Sequence, residues 1–480
     1  MSDRDVFLRE YTSALAEDGA SVLVGAGTSM AAGYPSWKGL LQEIAGDLGL
    51  EIEDVDDLTA VAQWAIGADH SNRTTVLNAI REQIEPDHAI PSALLSLARL
   101  PIREVWTTNY DRLIERAFGE LGRPIDVRAN QEQLALRKRR AGAVRIYKMH
   151  GTIDAVDDLV ISTEDYELYR QRRGAFLGLL HAHLTGMTFL FVGMSLTDPN
   201  VRHVLALLRE HFPTTPPRHF MIARRPQRAD FGSNDAHAAR LKRHDYWVRD
   251  LRRYGLVVVE IDAFAEIDEL MDELERRVAR RRIWVSGSWP LDAGDTSAGF
   301  VHDVARAIGR RIGSTDLFML SGAGLLVGSA SLSGFLETMQ GRGEWDFDRR
   351  LVVRPFPQPV GDAEPDRQHW AELRGELARL AGIVVFVGGA KIESGGLVSA
   401  TGVFEERALA DGRGAFLLPV GATGGAASVI ANELLTSALP SAGSNARRPT
   451  DDELRILSDA SATPDQLADA VLKIIKRIAR

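Results

Sequence analysis

Short apolar runs that end in glycine or a polar residue, separated by amphipathic stretches, recur along the whole chain, and they restrict its fold more than any other feature. In the first half they read SVLVGA, REVWTTN, VRIYKMHG, TFLFVGMS, HFMIA and LVVVEID. In the second half they read RRIWVSGS, DLFMLSGAG, RLVVRPFP, GIVVFVGGAK and GAFLLPVGAT. Runs this short and this uniformly apolar are buried on both faces, as strands of a parallel sheet covered by helices are. The expected class is therefore α/β, with two Rossmann-like parallel-sheet domains. Between the two series lies EIDELMDELERRVARRR, acidic early and basic late, a pattern that complements a helix dipole. The boundary is placed there, giving domains at 1–280 and 281–480. With 480 residues, each half is long enough for a core of its own.

Composition removes several classes of chemistry. There is no cysteine, hence no disulfide, no thiol nucleophile and no thiolate zinc site. A net charge of −9 argues against a general nucleic-acid binder. Two basic runs, RKRRAGAVR (137–145) and ERRVARRR (275–282), read as solvated faces. The chain has no apolar run of ~18 residues and no leader-like start, so a cytoplasmic protein without a membrane segment is expected. The polar segment 224–244 reads as a surface excursion with a helix, and 359–368 as a loop. His181 and His183 stand two apart on a helical pattern, face different ways and do not suggest a metal pair.

Several strand ends carry residues that could do chemistry, where an open α/β sheet delivers them. VLVGAGTSMAAGYPSW (22–37) runs from a strand into bare glycine, Gly25 and Gly27, and then towards a helix. Such a turn exposes N–H groups that suit a phosphate. It is not the dinucleotide fingerprint, because the next glycine is Gly33 rather than one three residues on. TTNYD supplies Asn109 and Asp111, KMHGT supplies His150, and FVGMSLTDPNV supplies Gly193, Ser195 and Asp198. Each has an ordinary reading as well. Asn or Asp after a strand caps a helix, and GMSLTD lacks the second glycine of a nucleophile elbow.

Taken in order, GAGTS with GYP, then TTNYD, HG, GxS and VVVEID resemble the sirtuin-like NAD-consuming domains in their divergent bacterial branch, over about 6–264. The resemblance implies NAD as substrate, bound through Gly25, Ala26, Gly27, Ser29, Asp111, Gly193 and Ser195. Its phosphates would approach the N–H groups of Ala26 to Ser29, and GYPSW would cover the nicotinamide end. Asn109 and His150 would be catalytic, Asn109 ordering water and a ribose hydroxyl and His150 accepting a proton. The chain departs from deacetylating sirtuins in two places: it lacks the four cysteines of their zinc module, and Pro35 is followed by SWK where an acidic–aromatic–arginine run is usual. Water becomes the expected acceptor, and no metal or cofactor beyond NAD itself is expected.

The second half resembles the SLOG family of nucleotide-sensing domains over about 282–480, on its glycine loops and on Arg374, Lys391 and Glu406. Read by spacing alone, these three are equally a surface charge set on an ordinary Rossmann-like domain. A sirtuin-like domain followed by this one resembles the effectors of the Thoeris anti-phage system. That resemblance implies an NAD glycohydrolase that forms a homo-oligomer and stays quiet until a cyclic ADP-ribose isomer made by a TIR-domain partner binds. Gly287, Ser288, Arg374, Lys391 and Glu406 would hold that signal. Two other readings stay open: a non-catalytic nucleotide-sensing regulator, and an NAD-dependent ADP-ribosyltransferase.

Overall fold

The computed structural model describes residues 2–69, 72–135, 142–291, 297–324, 326–345, 347–357, 366–443 and 445–479. It separates into two compact units, 1–275 and 276–480, so the division falls inside the helix Glu266–Arg280.

The first unit is built on β1 (Ala20–Val24), β2 (Glu104–Thr107), β3 (Ile125–Arg128), β4 (Val144–Lys148), β5 (Thr188–Val192), β6 (His219–Arg224) and β7 (Leu256–Ile261). They form one parallel sheet in the order β3-β4-β2-β1-β5-β6-β7. β1 is buried along its whole length, as a central strand covered on both faces must be. On one face Trp106 stacks on Tyr147, ring centroids 4.4 Å apart, within a core that includes Phe176, Leu180 and Phe191. The sequence reading missed β3. Its residues, IDVR, are mostly half-buried at the sheet edge, so the apolar run that marks an inner strand is absent.

The second unit carries β8 (Arg282–Ser286), β9 (Phe318–Ser321), β10 (Leu351–Val353), β11 (Ile383–Val387), β12 (Ala390–Glu393), β13 (Gly396–Ser399) and β14 (Phe416–Val420). Five of them make a parallel sheet in the order β10-β9-β8-β11-β14. β12 and β13 pair antiparallel as a hairpin, where the sequence reading had only a glycine loop. Its turn residues Ser394 and Gly395 both have positive φ, 53° and 79°, as a two-residue hairpin turn of the primed type needs. Ile392 and Leu397 face each other across it and are exposed, so no buried face betrayed the strands.

Two expectations about charge change. Arg280 is only 8% exposed and donates to the Ala446 carbonyl at 3.0 Å, and Arg281 donates to Asp316 at 2.7 Å. The second basic run is therefore not a solvated face at these positions; its end turns inward because the chain passes there into buried β8. Most of the first run, 137–141, lies outside the described residues, and Arg145 at its end pairs with Glu104. The expected loop at 359–368 lies largely outside them too, and its last two residues already belong to the helix Arg367–Leu380. Segment 224–244 carries the start of the helix Asn234–Leu251 and is mostly exposed. His181 and His183 do face different partners, His211 and Trp106. Among the described residues no helix is long and apolar enough to cross a membrane.

The helices Ser297–Gly313 and Val327–Gly341 cross backbone to backbone. A Cβ on Gly334 would overlap the Arg306 carbonyl, and one on Gly309 the Ser331 carbonyl. Gly334→Val must push the helices apart, so urea unfolding should show the second unit weakened by at least about 2 kcal/mol.

Candidate active site and candidate sensor site

In the first sheet the strands β4-β2-β1-β5 are adjacent and parallel, and their carboxyl ends lie on one edge. The strand order reverses between β1 and β5, the place where open α/β sheets bind ligands. Gly25 follows β1, Asn109 follows β2, His150 follows β4 and Gly193 follows β5, so topology alone brings these four to one edge.

The glycine loop serves the protein's own backbone first. Gly25 donates its N–H to the Val192 carbonyl and Gly27 to the Gly193 carbonyl, each at 2.9 Å. A Cβ on Gly25 would sit 2.6 Å from the Gly193 oxygen, and one on Gly193 (φ +68°) 2.9 Å from the Thr28 nitrogen. Thr28 N–H in turn donates to the Gly25 carbonyl at 3.1 Å. The N–H groups of Gly27 and Thr28 are thus engaged inside the protein. The helix that follows, Ala26–Ala32, is short.

Asn109 is 7% exposed and sits over this loop. Its Nδ2 donates to the Gly25 carbonyl at 3.0 Å and to Ser29 Oγ at 2.8 Å. Ser29 Oγ donates to Asp111 Oδ2 at 2.5 Å, and Asp111 Oδ1 accepts from Leu113 N–H at 2.9 Å. Gly25, Ser29, Asn109 and Asp111 therefore form one buried network, with Gly193 packed against it. Among the described residues no donor reaches Asn109 Oδ1, although that oxygen is buried. A buried acceptor left open is costly unless something fills it. Ser195 stands apart: it is exposed and its Oγ lies 2.8 Å from Thr197 Oγ1.

His150 is 4% exposed, with the rings of Tyr166 and Tyr169 set edge-on to it at 5.5 and 6.1 Å. Its Nε2 lies 3.2 Å from Asp198 Oδ2, near enough for attraction but out of line for a hydrogen bond. Burial, and then the Arg173 guanidinium, pull the imidazole pKa below its ordinary value, while Asp198 opposes them. The ring is accordingly neutral at pH 7 and keeps a lone pair for a proton.

Sequence reasoning passed over Lys148, which is fully buried at the end of β4. Its Nζ donates to Glu115 Oε1 at 2.8 Å and to the carbonyls of Asp111 and Tyr110 at 2.5 and 3.2 Å. It ties the turn that carries Asn109 and Asp111 to the strand that carries His150. A charged residue inside the buried run VRIYKM was the available signal.

In the second sheet the order reverses between β8 and β11, and both are followed by glycine turns. Gly287 follows β8 and lies against the Val387 carbonyl. The Ser288 carbonyl accepts from Gly389 and Ala390 N–H at 2.8 and 3.0 Å. Beside this edge Glu406, 6% exposed, accepts from Ser286 Oγ at 2.5 Å and from Arg374 Nε at 3.4 Å. Burial raises the Glu406 pKa; Ser286 and Arg374 act against it. Arg374 also donates to Glu405 at 2.8 Å and lies over the rings of Phe356 and Trp370 at 5.4 and 5.7 Å. Gly287, Ser288, Arg374 and Glu406 thus cluster around the ends of β8 and β11. Lys391 is on the hairpin strand β12, half-exposed and 3.3 Å from Glu393, not in a glycine loop.

Two parallel α/β units, each with its polar cluster at the strand-order reversal, define a pair of nucleotide-type domains. The family model described as SIR2-like domain matches residues 103–248, and that described as Sir2- and TIR-associating SLOG family matches 266–478. The chain is 32% identical over 427 residues to NAD(+) hydrolase ThsA of Bacillus cereus (strain MSX-D12), covering 88% of this chain and 87% of that protein. It is 31% identical over 451 residues to NAD(+) hydrolase ThsA of Acinetobacter baumannii (strain 532279), covering 90% and 91%. The corresponding protein of Enterococcus faecium is 31% identical over 444 residues, 90% of each chain. The chain belongs to the ThsA family of NAD(+) hydrolases.

Lys148→Met would leave the largely buried Glu115 side chain, 13% exposed, and two carbonyls without their donor. Breaking a buried pair in this way costs about 3–5 kcal/mol. Denaturant unfolding should show that loss, and Lys148→Met with Glu115→Leu should lose less than the single change.

Proposed function

We propose that this chain cleaves the nicotinamide–ribose bond of NAD with water, releasing nicotinamide and ADP-ribose. The observation that carries this reading is the buried Asn109 Oδ1, without a partner among the described residues, at the edge where His150 also ends its strand. A water or ribose hydroxyl donating to that oxygen would satisfy it and be held for attack. The bond breaks through an oxocarbenium-like state, so placing the acceptor and stabilising ribose charge are the main tasks. The water oxygen forms a bond to the ribose anomeric carbon, the bond to the nicotinamide nitrogen breaks, and nicotinamide leaves with the electron pair. The proton released by water passes to neutral His150. Gly25, Ala26, Gly27, Ser29, Asp111, Gly193 and Ser195 belong to the NAD-binding surface in this reading, with Gly27 acting through its fold rather than its N–H.

The second unit serves as the switch. A cyclic ADP-ribose isomer, made by a TIR-domain partner in phage defence, would bind at Gly287, Ser288, Arg374, Lys391 and Glu406 and release NAD hydrolysis in a homo-oligomer. The match of this unit to the Sir2- and TIR-associating SLOG family supports the pairing. Arg374 already has two carboxylates against it, so a phosphate must displace exposed Glu405 while buried Glu406 remains for a ribose hydroxyl. The Glu405 side chain is 60% exposed, so it can return to water while the phosphate takes its place on the guanidinium.

Incubation of the full chain with NAD and a panel of cyclic ADP-ribose isomers tests both halves. Free ADP-ribose in equal amount to nicotinamide is expected; ADP-ribose attached to a macromolecule, or no turnover with any isomer, would point to the transferase or the pure sensor instead. Asn109→Ala and His150→Ala should each lower turnover by ~10² or more. Because His150 must be neutral to act and its pKa lies below the ordinary value of about 6.5, kcat/KM should hold level as pH falls through 6.5 and decline only below it. Arg374→Ala should abolish the response to the isomer, and Glu405→Gln should tighten isomer binding measured by calorimetry.

A further inference from the structure

We propose that Asp198 is the positioning residue for His150, holding the ring's proton on Nε2 so that Nδ1 faces the reacting water with its lone pair. This rests on the reading of His150 as proton acceptor. Asp198 precedes the helix Pro199–His211 and uses its two oxygens differently. Oδ1 caps the helix, accepting from Val201 N–H at 2.9 Å, and Oδ2 lies 3.2 Å from His150 Nε2. A cap alone needs one oxygen, and serine or asparagine would supply it equally well. The Asp198 side chain is 13% exposed and the imidazole it faces 5%.

Two features suit a carboxylate to that place. The N-terminus of a helix stabilises an anion, and the cap bond fixes the carboxylate's orientation. The other groups around the ring are Arg173, a cation, and the edges of Tyr166 and Tyr169. Asp198 is thus the anion that faces His150, and it would stabilise the imidazolium formed when the water gives up its proton. A small rotation of the ring brings Nε2–H into line with Oδ2; bonds of this kind tighten when substrate fills the site. The chemistry parallels the carboxylate of a catalytic triad, which sets the tautomer without taking the proton.

The tautomer needs no variant to test. In the full chain labelled with 15N-histidine and without NAD, His150, assigned by its loss in His150→Gln, should carry its proton on Nε2; an Nδ1–H tautomer would overturn the proposal. Asp198→Asn keeps the cap and the volume but removes the charge. It should leave the unfolding midpoint nearly unchanged and move the His150 titration to lower pH. Its kcat for NAD should fall ~10²-fold or more, with KM altered only a few-fold. A folded Asp198→Asn protein with normal kcat, or an unmoved His150 titration, also overturns it. Asp198→Ser, which still caps, repeats the measurement if the asparagine protein does not fold. The tautomer and titration are read without turnover, so they test the Asp198–His150 pair even where His150→Ala retains activity and the acceptor reading itself fails.

Discussion

At the carboxyl edge of the first sheet the turn after β1 lies directly on the turn after β5, backbone against backbone, and the rest of the site depends on that contact. Gly25 and Gly27 give their N–H groups to Val192 and Gly193, and no side chain would fit between them. The contact leaves the Gly25 carbonyl pointing at β2, where the Asn109 amide takes it up. From there the chain of hydrogen bonds through Ser29 to Asp111 follows without further freedom. The loop's bareness thus serves close packing before it serves any ligand.

Around this contact the unit spends buried charge on alignment. Lys148 ties the Asn109 turn to the His150 strand, and Arg173 donates to the carbonyls of Ala129 and Asp158 at 2.5 Å, bracing the segment behind His150. Buried ions of this sort are costly unless every donor is satisfied, and their stabilising value is small beside well-packed apolar groups. What they supply is a fixed relation between strand ends. Near them, Asn109 Oδ1, Glu115 Oε2 and His150 Nε2 are buried without a hydrogen-bond partner among the described residues.

The second unit uses the same sheet logic with another balance of forces. There the polar cluster is self-neutralised: Arg374 sits between Glu405 and Glu406 with aromatic rings beneath it. The charge of Arg374 is thus balanced within the unit itself.

Periodicity and strand-end chemistry in the sequence were enough for the α/β class, all inner strands of both sheets, and the order of motifs that marks a SIR2-like unit followed by a SLOG unit. These are local signals: a buried parallel strand is apolar throughout, and the turn that follows it declares its glycine or polar residue within a few positions. The edge strand β3 and the hairpin β12–β13 escaped because neither buries a face that would pattern its residues. Only the tertiary structure decided which polar atoms meet. Asn109 with Ser29 and Asp111, His150 with Asp198, and Lys148 with Glu115 join residues from different strand ends. Their partners are set by strand order and by the close approach of two glycine turns, and neither leaves a trace in the spacing of residues along one segment.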